Sequence, residues 1–331
     1  MISDGNIATN LLIIVDVPHL KGVAHLFLYD LYTMEYIQLG KSDLRISRIA
    51  FGCMSLGDDY AESEKILHRA VELGINFFDT ADLYAKGLNE SMVGKALKPY
   101  RQNVYIASKV GNQWRADGSG WNWNPRRDYI LEQVEGSLKR LQVDHIDLYQ
   151  LHGGTIDDPI DETIEAFELL KQQGKISNYG ISSIRPNVIR EYVKRSNIVS
   201  VMMQYSLLDR RPEETCLQLL HENNIGVLAR GAVAQGLLIN KPAKAYLNYS
   251  IEEVEKAAAA IQQASNSKRN AAQTTLRYVL QHPAISTAVA GIRTMQQLEE
   301  ATAVLLTPVL TETEIKQLQG AVEANRYEQH R

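Results

Sequence analysis

From residue 34 onward this 331-residue chain alternates eight short β-branched runs with helical patterns, and that alternation restricts its fold more than any other feature. The strand-like runs are Arg48–Phe51, Asn76–Asp79, Val104–Ser108, Ile146–Leu151, Ser177–Ser182, Val199–Gln204, Gly226–Ala229 and Thr287–Ala290. Between them, Ile66, Ala70, Val71 and Gly74 fall on one helical face, as do Ile130, Val134, Leu138 and Leu141. Asp161 opens a further helix carrying Ile164, Phe167, Glu168 and Leu170, and Gly174 is placed to end it. Strand–helix units in unbroken succession imply parallel strands joined by crossover helices. A doubly wound sheet usually carries G-x-G-x-x-G after its first strand, and Gly52-Cys53-Met54-Ser55-Leu56-Gly57 lacks that spacing. No linker or short repeat divides the chain, so the expected fold is α/β, a single (β/α)8 TIM barrel over residues 34–331.

Residues 1–33 read differently. The apolar run Leu11–Val15 is cut by Asp16 and Pro18, and no Lys or Arg precedes Lys21, which makes a poor secretory signal. Nor is there a stretch of roughly 20 apolar residues to span a membrane. The segment is expected to be an N-terminal extension outside the barrel, with Met34 the native start; an arm packed on the domain is the alternative. Lys plus Arg is 35 against 39 Asp plus Glu, a net charge of −4, which removes the electrostatic case for a nucleic-acid partner. Two cysteines, Cys53 and Cys216, can build neither a disulfide framework nor a zinc site, and they suit a reducing cytoplasm. The expectation is a cytoplasmic enzyme, by default a monomer, without nucleic-acid, membrane or metal partners.

Barrel chemistry sits at the C-terminal ends of the strands. Asp79 closes the second run, Tyr84 follows on the loop, Lys109 ends the third run, and His152 ends the fourth. Singly, each has a structural explanation: a carboxylate capping a helix, a packed Tyr, a core His. Together they make an acid catalyst. A phenol with an ordinary pKa near 10 is a weak donor at neutral pH. A Lys109 ammonium beside it is expected to lower that pKa, with Asp79 fixing the ammonium and His152 donating to a substrate oxygen. No nucleophile–base pair or H-E-x-x-H metal motif appears.

Asp79-Thr80-Ala81 with Tyr84, then Lys109 and His152 in order, resemble the aldo-keto reductase superfamily, as does the opening Leu39-Gly40-Lys41-Ser42-Asp43-Leu44. The resemblance covers nearly all of residues 35–325. It implies a barrel that binds NADPH/NADP+ in extended form and reduces small aldehydes or ketones to alcohols. Tyr84, Lys109, Asp79 and His152 are then the catalytic tetrad. It also implies a cofactor site. Gly52, Cys53, Met54 and Asp79 line one side, and Ser182, Ser183 and Gln204 hold the carboxamide. Arg230, Gly231 and Gln235 follow the seventh strand, while Gly291, Arg293, Thr294, Gln297 and Glu300 form the adenosine-phosphate end. Arg293 suits the 2′-phosphate that separates NADPH from NADH.

Three positions depart from the family pattern. Ser183 stands for a frequent Asn, Ala301 for a frequent adenine-contacting Asn, and Arg230 for an aromatic that stacks on the nicotinamide. A cation there is expected to favour the neutral, reduced ring. Trp114, Trp121 and Trp123 all fall in the segment Gly111–Pro125 after the third strand. They read either as an aromatic wall for an apolar substrate or as pins for a long loop. The alternative function is a redox-sensing cofactor-binding subunit resembling potassium-channel β-subunits. A barrel lyase or isomerase without nicotinamide ranks behind it.

Overall fold

The computed structural model describes residues 34–331, so the reading of residues 1–33 lies outside the described residues. β1 (Tyr36–Gln38) and β2 (Arg45–Ser47) pair as an antiparallel hairpin, followed by β3 (Ile49–Gly52), β4 (Phe77–Asp79) and β5 (Tyr105–Val110). A second hairpin, β6 (Asn112–Trp114) with β7 (Trp121–Trp123), interrupts the series. β8 (Ile146–Leu151), β9 (Ile176–Ser182), β10 (Ser200–Gln204), β11 (Gly226–Arg230) and β12 (Ile285–Gly291) complete it. β3, β4, β5 and β8–β12 form a closed parallel barrel in which β12 returns to β3, Gly291 lying opposite Gly52.

The helices are α1 (Tyr60–Glu72), α2 (Leu88–Leu97), α3 (Arg127–Leu141), α4 (Ile160–Gln172), α5 (Pro186–Arg195), α6 (Cys216–Glu222), α7 (Ile251–Ala264), α8 (Ala271–Leu280), α9 (Met295–Thr302) and α10 (Glu312–Ala321). In α1, Asp59 caps the Glu62 N–H, and Ile66 and Ala70 are buried as expected. Gly74 is not on that helical face. It lies beyond the helix end at φ +88°, where a side chain would be strained. Gly174, at φ +71°, follows α4 as its position predicts.

Among the described residues two apolar clusters result. One packs the helices on the outer strand faces, with Phe51, Tyr149, Ile181 and Val227 among its members. The other fills the barrel: Ala50, Phe77, Ala107, Leu148, Met202, Leu228 and Val289, with Leu39, Leu44 and Ile46 from the first hairpin and its turn. Each of those three hairpin residues is at most 4% exposed, and burying a Leu or Ile contributes about 1.5–3 kcal/mol as an upper bound. Among the described residues no helix is long and apolar enough to cross a membrane.

Candidate active site

Side chains alternate along a strand, so the residue two places after an interior one also points inward. Two places beyond Phe77, Ala107, Leu148, Met202 and Leu228 stand Asp79, Lys109, Gln150, Gln204 and Arg230. The barrel interior therefore turns from apolar to ionic towards the C-terminal strand ends. There Lys109 Nζ donates to Asp79 Oδ2 at 2.6 Å, Thr80 O at 2.8 Å and Tyr84 OH at 3.2 Å, which uses all the protons of an ammonium. Gln150 Nε2 donates to the other Asp79 oxygen at 3.2 Å. His152 follows β8, its ring edge-on to Tyr84 with centroids 5.8 Å apart. All four residues singled out from sequence converge. Gln150 was missed, and its signal was its place on the inward face two residues after Leu148.

Lys109 is fully buried. Burial alone would lower its pKa, but Asp79 and Tyr84 together outweigh that and hold it above the ordinary lysine value, while at Asp79 burial outweighs Lys109 and pushes the carboxyl up. Tyr84 departs from expectation: burial pushes its phenol up, and the opposing pull of the Lys109 ammonium is the smaller effect. The phenol thus keeps its proton at neutral pH. His152 is pushed down to about 3, first by burial and then by the charges of Lys109 and Arg230. A neutral imidazole donates through one nitrogen, and its Nδ1 is buried without a partner among the described residues.

Tyr84 begins a turn in which Ala85 (φ +47°), Lys86 (φ +55°) and Gly87 (φ +84°) are all left-handed. Such geometry costs about 1–3 kcal/mol per non-glycine residue and survives only when neighbours fix it. Thr80 Oγ1 donates to Asn89 Oδ1 at 2.6 Å, Asn89 Nδ2 to Cys53 O at 2.9 Å, and Ser91 Oγ to Gly87 O at 3.3 Å. Cys53 itself is fully buried, and burial pushes its thiol well above the usual range, consistent with an inert side chain.

Most of the remaining sequence-predicted residues lie at or just beyond C-terminal strand ends, whereas Gln297 and Glu300 lie on α9. Gly52 ends β3, and Met54 beyond it is exposed. Ser182 ends β9, and the buried Ser183 donates its N–H to Met202 O at 3.0 Å. Gln204 donates to Tyr246 OH at 2.7 Å and accepts from Arg230 Nη1 at 3.2 Å. Gly231 (φ +76°) and the exposed Gln235 (φ +58°) follow β11. Gly291 ends β12, and Thr294 caps α9 through the Gln297 N–H. Exposed Arg293 donates its N–H to Gln297 Oε1 at 2.9 Å and its Nε to Ser55 O at 3.2 Å. Among the described residues no carboxylate lies within ion-pair distance of it. Glu300 accepts from Asn270 Nδ2 at 2.5 Å. An unneutralised guanidinium beside a capped helix N-terminus fits the phosphate of a nucleotide cofactor.

The family model described as Aldo/keto reductase family matches residues 48–323. The chain belongs to this family. It is similar to the uncharacterized oxidoreductase YqkF of Bacillus subtilis, 50% identical over 303 residues that span 89% of this chain and 98% of that one. It is also similar to the holo form of aldo-keto reductase AKR11C1 from Bacillus halodurans. That structure is 51% identical, with a TM-score of 0.85 over 90% of this chain and 99% of that one. An Escherichia coli relative, NADH-specific methylglyoxal reductase, is 32% identical over 65% of this chain and 72% of its own length. As an aldo/keto reductase the protein is an oxidoreductase acting on small carbonyl compounds, in a family that generally uses nicotinamide cofactors.

In this aldo/keto reductase the segment after β5 is a hairpin, β6–β7, and its tryptophans divide. Trp123 Nε1 donates to both Asp158 oxygens at 3.0 Å, and its ring covers Gly111 and Gly153, where Cβ atoms would lie 2.6 and 3.1 Å from it. It pins the hairpin beside His152. Trp114 pairs across the hairpin with Trp121. Lys86 Nζ sits 5.0 Å from the Trp114 ring centroid, so the hairpin reaches the turn that carries Tyr84. Trp114 Nε1 is buried without a partner among the described residues, while Trp121 is 46% exposed.

Proposed function

We propose that the chain is an NADPH-dependent carbonyl reductase in which Tyr84 is the general acid. The observation that carries this reading is the Tyr84 hydroxyl on Lys109 Nζ, with that ammonium in turn matched to Asp79. When bound, the nicotinamide cofactor supplies hydride to the carbonyl carbon. Tyr84 holds its proton until negative charge develops on the substrate oxygen, then donates it. Lys109, 3.2 Å away, stabilises the phenolate left behind, and Asp79 keeps the ammonium in place. His152 donates to the same substrate oxygen and orients it. A positioned general acid of this kind is worth about 10²–10⁴ in rate. Trp114, with its unpartnered N–H, and Trp121 form the wall of the substrate pocket.

Residues toward the cofactor follow the same logic. The family includes an NADH-specific relative, so membership alone does not decide the nucleotide, and Arg293 supports NADPH. A charge-assisted contact to the 2′-phosphate contributes about 1.5–3 kcal/mol, so Arg293→Ala should weaken NADPH by roughly 10–100-fold and NADH far less. Fluorescence titration of both nucleotides checks it; equal weakening removes the role. Arg230, held by the Gln204–Tyr246 chain, is assigned to the nicotinamide end, where its charge favours NADPH over NADP+. Free, buried Cys53 and Cys216 support a cytoplasmic location, with a monomer as the working unit. The direct test is NADPH consumption with para-nitrobenzaldehyde. Turnover is expected; tight NADPH binding without turnover would favour the redox-sensing subunit instead.

A further inference from the structure

Behind the Tyr84 turn, between the barrel and helices α2 and α3, lies a second buried group of charges that the proposed mechanism does not use. Glu90 of α2 is fully buried. It accepts from Arg140 Nε of α3 at 2.7 Å and from Ser108 Oγ of β5 at 2.5 Å. Arg140 also reaches Ser137 Oγ at 3.2 Å. Its side chain crosses the end of the turn so closely that a Cβ on Gly87 would lie 2.7 Å from its Cδ and Nε. Asp82, two residues before Tyr84, is 7% exposed, and its Oδ1 is buried with no partner among the described residues. The groups facing it are Glu90 from α2, Arg140 and Tyr129 from α3, Tyr149 from β8 and Lys109 from β5. Lys109 is already matched to Asp79 and Arg140 to Glu90, which leaves an Asp82 carboxylate without a cation of its own among the described residues.

We propose that protonated Asp82 is a positioning residue: with the Glu90–Arg140 pair it holds the left-handed turn that presents Tyr84, and losing its proton loosens that turn. This rests on Tyr84 being the proton donor. Burial first, then the neighbouring Glu90 charge, push Asp82 up to about 7, against smaller opposing pulls from Arg140, the Leu83 N–H and Lys109. The proton is therefore lost as pH rises through neutrality. Tyr84 and Lys109 are both held above their ordinary values and His152 near 3; burial raises Asp79 as well, and the comparison of wild type with Asp82→Asn separates that carboxyl from Asp82. An acid raised on folding stabilises most below its unfolded pKa of about 4, and that stability is lost as pH rises through the folded value.

The test is the pH profile of kcat and of the thermal midpoint from roughly pH 5.5 to 8.5, for wild type, Asp82→Asn and Asp82→Ala. Wild type should lose about tenfold in kcat and some of its thermal midpoint across that range. Asp82→Asn, which mimics the protonated form, should retain most of the acid-side turnover and flatten both curves. Asp82→Ala should lose about tenfold in kcat even at the acid end, with little change in the aldehyde KM or in NADPH affinity. The same alkaline fall in wild type and Asp82→Asn overturns the proposal, as does a flat wild-type profile. If no carbonyl is turned over, the Tyr84 reading fails on its own. The midpoints then decide: an equal fall in wild type and Asp82→Asn overturns the Asp82 assignment, and a fall confined to wild type upholds its proton.

Discussion

The two ends of the barrel interior follow one alternation and hold opposite chemistry. At the end where the strands begin, Leu39, Leu44 and Ile46 seal the interior against Ala50, Phe77 and Leu148. At the other end the next inward positions carry Asp79, Lys109, Gln150, Gln204 and Arg230. Apolar burial needs volume and shape, whereas a buried ion pair stabilises only when every partner is in place. The sealed end should therefore govern stability alone, and the ionic end should spend stability on chemistry.

Three changes test that division, in descending size. Lys109→Met leaves the Asp79 carboxylate buried and unpaired, so unfolding free energy should fall by about 3–5 kcal/mol while carbonyl reduction is lost. Full stability in denaturant titration would show that the pair is not a stability hazard. Leu44→Ala at the sealed end should cost about 2–5 kcal/mol yet leave kcat per folded molecule unchanged. A matching loss of kcat would mean that the two ends are coupled. The smallest effect near neutrality belongs to His152. Its pKa is depressed on folding, so its neutral form contributes full stability above about pH 6.5, lost as pH falls toward the folded value of about 3. Between pH 7 and 4 wild type should therefore lose more thermal midpoint than His152→Gln; equal losses would contradict the depressed value.

Much of this contrast was legible in the sequence because it depends on period. All eight barrel strands fall where β-branched runs stand, and Asp79, Lys109 and His152 read as strand-end residues at once. What escaped depends on distances between segments far apart in the chain. Gln150 is one of two polar residues, with Asp147, in the strand Ile146–Leu151, and only the closed barrel brings its amide to Asp79. The β6–β7 hairpin escaped because each strand has only three residues, too few to set a pattern. The direction of the Tyr84 shift escaped as well. Sequence supplied the neighbouring ammonium, whereas the depth of burial that outweighs it is a property of the folded rim. Asp82 stood in plain view beside Tyr84, but its significance lies in Glu90 and Arg140 arriving from two different helices.

The most direct measurement of the central claim is single-turnover reduction of para-nitrobenzaldehyde by Tyr84→Phe, with NADPH affinity measured on the same sample. The substitution removes only a hydroxyl that acts on the developing charge, so the rate should fall by about 10²–10⁴ while NADPH binds as in wild type. A rate within about tenfold of wild type, with NADPH bound, would contradict Tyr84 as the proton donor.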